Sequence, residues 1–138
     1  MKCQKIFLLF ALALALNLVW EFSHYSLYID LSGIPSTRHL IQASFFDLIF
    51  VFCIFSLVSL KNRGWKWVGK PDYTDYTLVS LFGIVIAIFI ESWALSSGRW
   101  SYTSSMPLVF GIGLTPLIQL ALTAVLSLKL ARSISFSR

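Results

Sequence analysis

The sequence predicts an all-α, polytopic membrane protein: one domain over residues 1–138, folded as an antiparallel bundle of four transmembrane helices. The first reason is composition, because 57% of the 138 residues are hydrophobic and 12% are charged, whereas about a quarter of a soluble domain is charged. The second reason is that the apolar residues form four runs of about 20 residues, the length that crosses a bilayer. The third is the uneven placement of basic residues between those runs.

The first predicted helix covers approximately residues 6–28. Its start after Lys2 and Lys5 is typical of a secretory signal, but the apolar run continues through Phe22, which favours a helix that is retained. The other three helices cover approximately residues 40–60, 76–96 and 107–130. Their connections are short, so neighbouring helices should run antiparallel.

Two residues are expected to shape the later helices. Gly98 should end the third helix, because glycine tolerates the left-handed backbone of a helix C-terminus. Pro116 lies inside the fourth predicted helix and should kink it, because proline removes one backbone hydrogen bond.

The basic residues predict the orientation of the bundle. Two of the eleven basic residues, Arg38 and Arg99, lie on one side of the predicted bundle. Cytoplasmic loops carry an excess of Lys and Arg, so both termini should lie in the cytoplasm. Topology therefore accounts for the formal charge of +5 without nucleic acid as a partner. The nine basic residues on the other side are Lys2, Lys5, Lys61, Arg63, Lys66, Lys70, Lys129, Arg132 and Arg138.

Three helices each place one carboxylic acid at a similar depth. Glu21, Asp47 and Glu91 each lie about two turns from the outer end of a predicted helix, or some 10 Å below the outer surface. One charged acid in mid-membrane costs roughly 2.5–3.5 kcal/mol, so three cannot face lipid as anions. They must be protonated, paired with a cation, bound to metal or open to a water-filled cavity. The alternative to a functional site is a hydrogen-bonded cluster that holds the helices together.

The first helix carries a polar stripe. Asn17, Glu21, His24 and Tyr28 recur at spacings of four, three and four, which places them on one helical face. Glu21 and His24 also form a Glu-x-x-His pair, a spacing that metal-binding bundles use. One divalent metal ion is therefore a candidate cofactor, with Asp47 joining this pair and Glu91 completing the ligand set.

The remaining candidates lie on the third and fourth helices and in the outer connection between them. Small residues on the face of Glu91, such as Gly83 and Ala87, should turn this acid into the bundle. Gln119 lies at nearly the depth of the acids. Arg99 could pair with Glu91 or meet a lipid phosphate.

Five segments carry a resemblance: "NLVWEFSHYSLY", "SFFD" with Asp47, "IESWALSSGRW" with Glu91, "GRWSYTSSMP" and "LTPLIQ". They resemble a group of small bacterial four-helix membrane proteins, and the likeness covers most of the chain. It implies a bacterial inner-membrane protein and no particular activity. A looser similarity, of architecture alone, is to membrane isomerases and cyclases of the sterol-isomerase and lycopene-cyclase kind.

Three functions are compatible with these residues. The first is an intramembrane acid–base enzyme that isomerises or cyclises an isoprenoid or another membrane lipid. The second is a small oligomeric transporter of protons, cations or a solute. The third is an accessory subunit of a larger membrane complex, with structural acids. The enzyme hypothesis assigns catalysis to Glu21, His24, Asp47 and Glu91, and substrate binding to Asn17, Trp20, Tyr25, Trp93, Arg99, Trp100, Tyr102 and Gln119.

Overall fold

The computed structural model describes residues 3–29 and 36–134, and it is mostly helical. Four of its helices are long and apolar enough to cross a membrane, which confirms the predicted number of long apolar helices. At about 1.5 Å per residue, each one matches a hydrocarbon layer of about 30 Å. The helices are α1 (Cys3–His24), α2 (Ser36–Lys61), α3 (Tyr73–Ser96) and α4 (Leu114–Ser133).

The helices pack in a ring in which each contacts its two neighbours in sequence order, and α4 closes against α1. The closest approach joins α3 to α4 at Gly83. A Cβ atom on Gly83 would lie 2.6 Å from the backbone nitrogen of Ala121 and 2.7 Å from its Cα. This contact agrees with the small-residue face predicted for α3, because only glycine lets the two backbones come so near.

The prediction for the fourth helix was wrong at its start. Residues 107–113 do not continue the helix; they contain a two-stranded hairpin, with β1 (Leu108–Val109) antiparallel to β2 (Ile112–Gly113). The turn is formed by Phe110, with φ of 51°, and Gly111, with φ of 83°. Glycine adopts that left-handed backbone without strain.

The expected kink at Pro116 was also wrong. Pro116 is the third residue of α4, and the first four backbone N–H groups of a helix have no partner within it. A proline at this position therefore costs the helix no internal hydrogen bond.

Local signals define both ends of α3. Asp72 caps the start of α3, because its side chain accepts a hydrogen bond from the Asp75 backbone N–H and the Asp75 side chain accepts one from the Asp72 backbone N–H. This reciprocal arrangement satisfies two N–H groups that the helix leaves unpaired. The helix ends at Ser96, and Gly98 follows with φ of 64°. The predicted helix stop at Gly98 is confirmed.

Polar and apolar residues separate along the bundle axis. The half that contains the N-terminal part of α1 has a dense apolar core that includes Leu9, Val51, Phe55 and Leu128, each fully buried. The opposite half buries polar side chains, and the connections 97–113 cover its end. The candidate site therefore lies in the half of the bundle opposite the N-terminus of α1, and the other half holds the apolar core.

Candidate functional site

Gln119 joins three helices through one amide nitrogen. Its Nε2 lies 2.7 Å from Glu21 Oε1 on α1 and 2.7 Å from Asp47 Oδ2 on α2. It also lies 3.3 Å from Asn17 Oδ1. An amide nitrogen carries two hydrogens, so the two short bonds to the carboxyl groups use both. The carboxyl groups of Glu21 and Asp47 are consequently held side by side.

A second set of hydrogen bonds joins Gln119 and Asn17 to Thr123, one turn further along α4. Thr123 Oγ1 lies 2.9 Å from the Gln119 carbonyl oxygen and 3.2 Å from Asn17 Oδ1, and its single hydrogen serves one of them at a time. Asn17 is fully buried, and its amide donates to the carbonyl of Ala13 at 2.9 Å. The rotamers of Gln119 and Asn17 are therefore fixed by neighbours on α1 and α4.

The two carboxyl groups share a single donor nitrogen, since Glu21 Oε1 and Asp47 Oδ2 each lie 2.7 Å from Gln119 Nε2. An ionised carboxylate only accepts hydrogen bonds, whereas a protonated one can also donate. Two carboxyl groups held in this way can take up a proton and release one when one is protonated and the other is ionised.

Glu91 belongs to the same region but has different partners. Glu91 Oε2 accepts hydrogen bonds from Trp100 Nε1 at 3.1 Å and from the hydroxyl of Tyr102. Glu91 is buried, with 5% of its surface exposed. Burial, and then the hydrogen bond to Glu91, raises the pKa of the Tyr102 hydroxyl, so Tyr102 stays a donor. Glu91 is thus fixed by the outer connection rather than by the pair.

The outer connection is tied to the end of α1. The backbone N–H of Ile29 donates to Ser101 at 2.9 Å, and that of Thr103 donates to Leu27 at 2.9 Å. Between these two bonds, the backbones of Tyr28 and Tyr102 pair as an isolated antiparallel β-bridge. The centroids of their two rings lie 5.5 Å apart. This attachment fixes the loop that supplies the donors to Glu91.

The three acids line one cavity of about 780 Å³, with Gln119 in its wall. Pockets for small ligands span about 300–1,000 Å³. At its edge, Phe46 of α2 and Trp93 of α3 are 61% and 55% exposed. These exposed rings leave the cavity open on the side of the bundle between α2 and α3, and the exposed Ile29 and Arg99 line it nearer the end.

Eight of the twelve predicted site residues line this cavity, and four do not. Three of the four outside it still contact the site or its walls: Asn17 and Tyr102 hydrogen-bond to Gln119 and Glu91, and the His24 ring packs against Tyr28. Those lining the cavity are Glu21, Tyr25, Asp47, Glu91, Trp93, Arg99, Trp100 and Gln119. Those outside it are Asn17, Trp20, His24 and Tyr102.

His24 and Trp20 do not line the cavity, although His24 follows Glu21 by three residues. His24 Nδ1 lies 2.7 Å from the Trp20 carbonyl, and a carbonyl only accepts, so this nitrogen carries a hydrogen. The His24 ring packs against Tyr28 at 5.3 Å. The indole nitrogen of Trp20 is buried without a hydrogen-bond partner.

The alternative in which Arg99 pairs with Glu91 is wrong. The guanidinium of Arg99 lies 4.8 Å from the centre of the Trp93 ring. Over the part of the chain that the structure describes, the ion pairs join Lys61 to Asp72 and Asp75, at the opposite end of the bundle. Glu91 Oε2 instead accepts from Trp100 and Tyr102.

The four predicted metal ligands, Glu21, His24, Asp47 and Glu91, do not form a compact cluster. Within residues 3–29 and 36–134, no group of three or more His, Cys, Asp or Glu side chains has the geometry to hold a metal ion. Only Glu21 and Asp47 are immediate neighbours.

Nine of the described residues in the cavity wall were not among the predicted site residues. Among them are His39, which lines the cavity from α2, and Tyr28, which follows α1, and both could take part in polar contacts. Both carried a signal: His39, Ala43 and Asp47 recur every four residues and so share one helical face, and Tyr28 was part of the predicted polar stripe.

Comparison with protein-family models, with curated proteins and with solved structures finds no match to this chain.

Proposed function

We propose that the chain is an integral protein of the bacterial inner membrane. Support comes from the side chains that the bundle leaves on its outside. Phe7, Leu60 and Phe89 are 78%, 76% and 73% exposed, while Asn17 and Gln119 are buried. Exposed apolar surface of this extent is unfavourable in water. It is favourable where the bundle is surrounded by lipid.

The orientation follows from the ends of the bundle. Lys61, Lys66, Lys129 and Arg132 lie at one end of the helices, and Arg99 lies at the other. Two of the nine basic residues on the first side, Lys2 and Arg138, lie outside the described residues. The positive-inside rule places the basic end, and with it both termini, in the cytoplasm. The cavity then lies in the outer half of the membrane.

Within that framework, the cavity binds a membrane lipid or isoprenoid, and the Glu21–Asp47 pair transfers protons to and from it. The observation that carries this proposal is that both carboxyl groups accept from Gln119 at 2.7 Å in the wall of a cavity that opens sideways. A lateral mouth lets an apolar substrate enter from the bilayer without crossing water.

The proton chemistry needs no oxidant or further reactant. The protonated member of the pair gives its proton to one carbon of a carbon–carbon double bond. The carboxylate then removes a proton from a neighbouring carbon, so the double bond moves and the pair has exchanged one proton for another. In a cyclisation, a second double bond attacks the cation before the proton leaves. Tyr28 and Trp100, with ring centroids 6.3 Å apart, line the cavity and would stabilise that cation by cation–π contact.

A structural role for the acids is the second candidate. It is favoured by the way Gln119 ties α1, α2 and α4 together through its hydrogen bonds, since polar groups often join helices in membranes. Transport has less support, because buried apolar residues such as Leu9 and Phe55 fill most of the inner half, and among the described residues few buried polar side chains, such as Ser59 and Ser127, interrupt them.

The test is deuterium incorporation into the bound lipid. The protein is purified in mild detergent, the co-purifying lipids are identified by mass spectrometry, and the purified lipid is incubated with protein in D₂O. Proton exchange by the pair should add deuterium to carbon, and Glu21→Gln and Asp47→Asn should abolish this. Asp72→Asn, an exposed acid-to-amide change at the other end of the bundle, is the matched control.

Two results would contradict the enzyme proposal. One is the absence of carbon-bound deuterium with wild-type protein, and the other is full exchange in both acid variants. Absent exchange combined with reduced thermal stability of Asp47→Asn would instead establish the structural role.

A further inference from the structure

The mouth of the cavity carries a cation without an anionic partner among the described residues. Arg99 follows the end of α3, is exposed and lines the cavity. The carboxylate nearest to it in the sequence, Glu91, is buried and already receives Trp100 and Tyr102. In residues 3–29 and 36–134, ion pairs form at Lys61 and not at Arg99.

The packing of Arg99 leaves its hydrogen-bonding edge available. The carbon of its guanidinium lies over the Trp93 ring, 4.8 Å from the ring centre, which is a cation–π contact. That contact takes none of the five N–H donors, which lie in the plane of the guanidinium. Two of these donors can bind two oxygens of one phosphate.

His39 lines the same cavity from the start of α2. It lies eight residues before Asp47, which is about 12 Å along the helix axis. The cavity thus has nitrogen donors at its outer rim and carboxyl groups at its floor. This polarity excludes an anion from the floor and admits one at the rim.

Resting on the proposed lipid function, we propose that the ligand is an amphiphile with a phosphate headgroup. The phosphate binds the Arg99 fork, with His39 as a second donor, and the apolar chain runs down the cavity towards Glu21 and Asp47. Arg99 follows the outer end of a membrane-spanning helix, the level at which the phosphates of lipids lie. An anion there meets arginine, while the acidic floor receives only an uncharged part of the ligand.

The geometry also selects which part of the ligand reacts. About 12 Å separate the level of His39 from that of Asp47. The carboxyl pair therefore acts on chain carbons well beyond the phosphate and leaves the headgroup bond intact. A phosphorylated isoprenoid and a glycerophospholipid share this chemistry, and the experiment separates them.

The test measures headgroup preference with two matched ligand pairs. Farnesyl phosphate is compared with farnesol, and phosphatidic acid with the diacylglycerol of the same chains, by titration into the full-length protein in detergent with native mass spectrometry as the readout. Arg99→Gln is the test variant. Arg38→Gln is the control, because Arg38 is the other outer arginine, is exposed and does not line the cavity.

The phosphate member of one pair should bind about 10- to 100-fold more tightly than its neutral partner, as expected for charge-assisted hydrogen bonds. Arg99→Gln should lose this preference, and Arg38→Gln should keep it. Whichever pair shows the preference identifies the chain type. Equal binding of both members, binding of neither, or an undiminished preference in Arg99→Gln would overturn the inference.

Failure of the headgroup inference is distinguishable from failure of the proposed chemistry. Asp47→Asn should keep the phosphate preference and lose deuterium exchange. Deuterium exchange in a lipid that binds equally well without phosphate would leave the proposed function intact and refute the role of Arg99.

Discussion

Replacing Gln119 with leucine is the most direct test of the network in the outer half. Leucine keeps a similar volume and removes the one nitrogen that contacts Glu21 and Asp47 at 2.7 Å each. Interhelical hydrogen bonds in membranes contribute about 0.6 kcal/mol on average and up to about 1.7. Two short bonds to carboxyl groups belong near the upper end, so we expect Gln119→Leu to lose about 2–3 kcal/mol of unfolding free energy.

The assay is reversible unfolding in mixed micelles with increasing sodium dodecyl sulfate, followed by tryptophan fluorescence. Thr77→Val is the control, because Thr77 is exposed, its hydroxyl bonds to the Tyr73 carbonyl of its own helix at 3.0 Å, and the change should cost less than about 0.5 kcal/mol. A double-mutant cycle with Asp47→Leu then measures the interaction energy between Gln119 and Asp47.

Two results would refute the reasoning about Gln119. The first is a loss below about 0.5 kcal/mol for Gln119→Leu, the range typical of a surface change. The second is a coupling energy near zero in the cycle, which would mean that Gln119 and Asp47 contribute independently.

Two further predictions concern packing and pH. Gly83→Ala should lower the free energy of unfolding by about 1–3 kcal/mol through overpacking, because its Cβ would meet the α4 backbone at 2.6 Å. Ser80→Ala, on the same face, adds no atom and should change that free energy by no more than about 0.5 kcal/mol. Equal losses in the two variants would contradict the close approach of α3 and α4. The pKa of Tyr102 is raised by burial and by Glu91. The stability that the protonated Tyr102 hydroxyl gives the folded protein is therefore present in full below the ordinary tyrosine pKa of about 10, and it is lost as pH rises above that value. In thermal unfolding from pH 8 to 11, Tyr102→Phe should flatten this loss and the exposed Tyr73→Phe should not; equal slopes in both variants would exclude the effect.

The helical spans could be read from the sequence because each needs only local information. About 20 apolar residues cross a bilayer wherever their neighbours lie, and a glycine such as Gly98 stops a helix by its own backbone freedom. The start of α4 could not be read in this way. "PLVFGIGL" is as apolar as a helix, and its hairpin depends on the backbone conformation of Phe110 and Gly111, which hydropathy does not register.

Part of the site was also predictable. Spacing placed Glu21, Asp47 and Glu91 at one depth, and all three line one cavity. Spacing did not show that Glu21 and Asp47 pair while Glu91 takes Trp100 and Tyr102. Those partners are set by how helices rotate about their axes, which requires the packing of all four.

By itself the sequence determined that four apolar helices form, where most of them start and end, and that their acids lie at one level, because these properties depend on residues near in the chain. Only the tertiary structure decided which acids share Gln119, that Arg99 stacks on Trp93 instead of pairing with Glu91, and that the cavity opens between α2 and α3. Each of those contacts joins residues from separate elements. Their geometry is fixed by side-chain volume, such as the missing Cβ of Gly83, and by competition among donors for the same carboxyl oxygens.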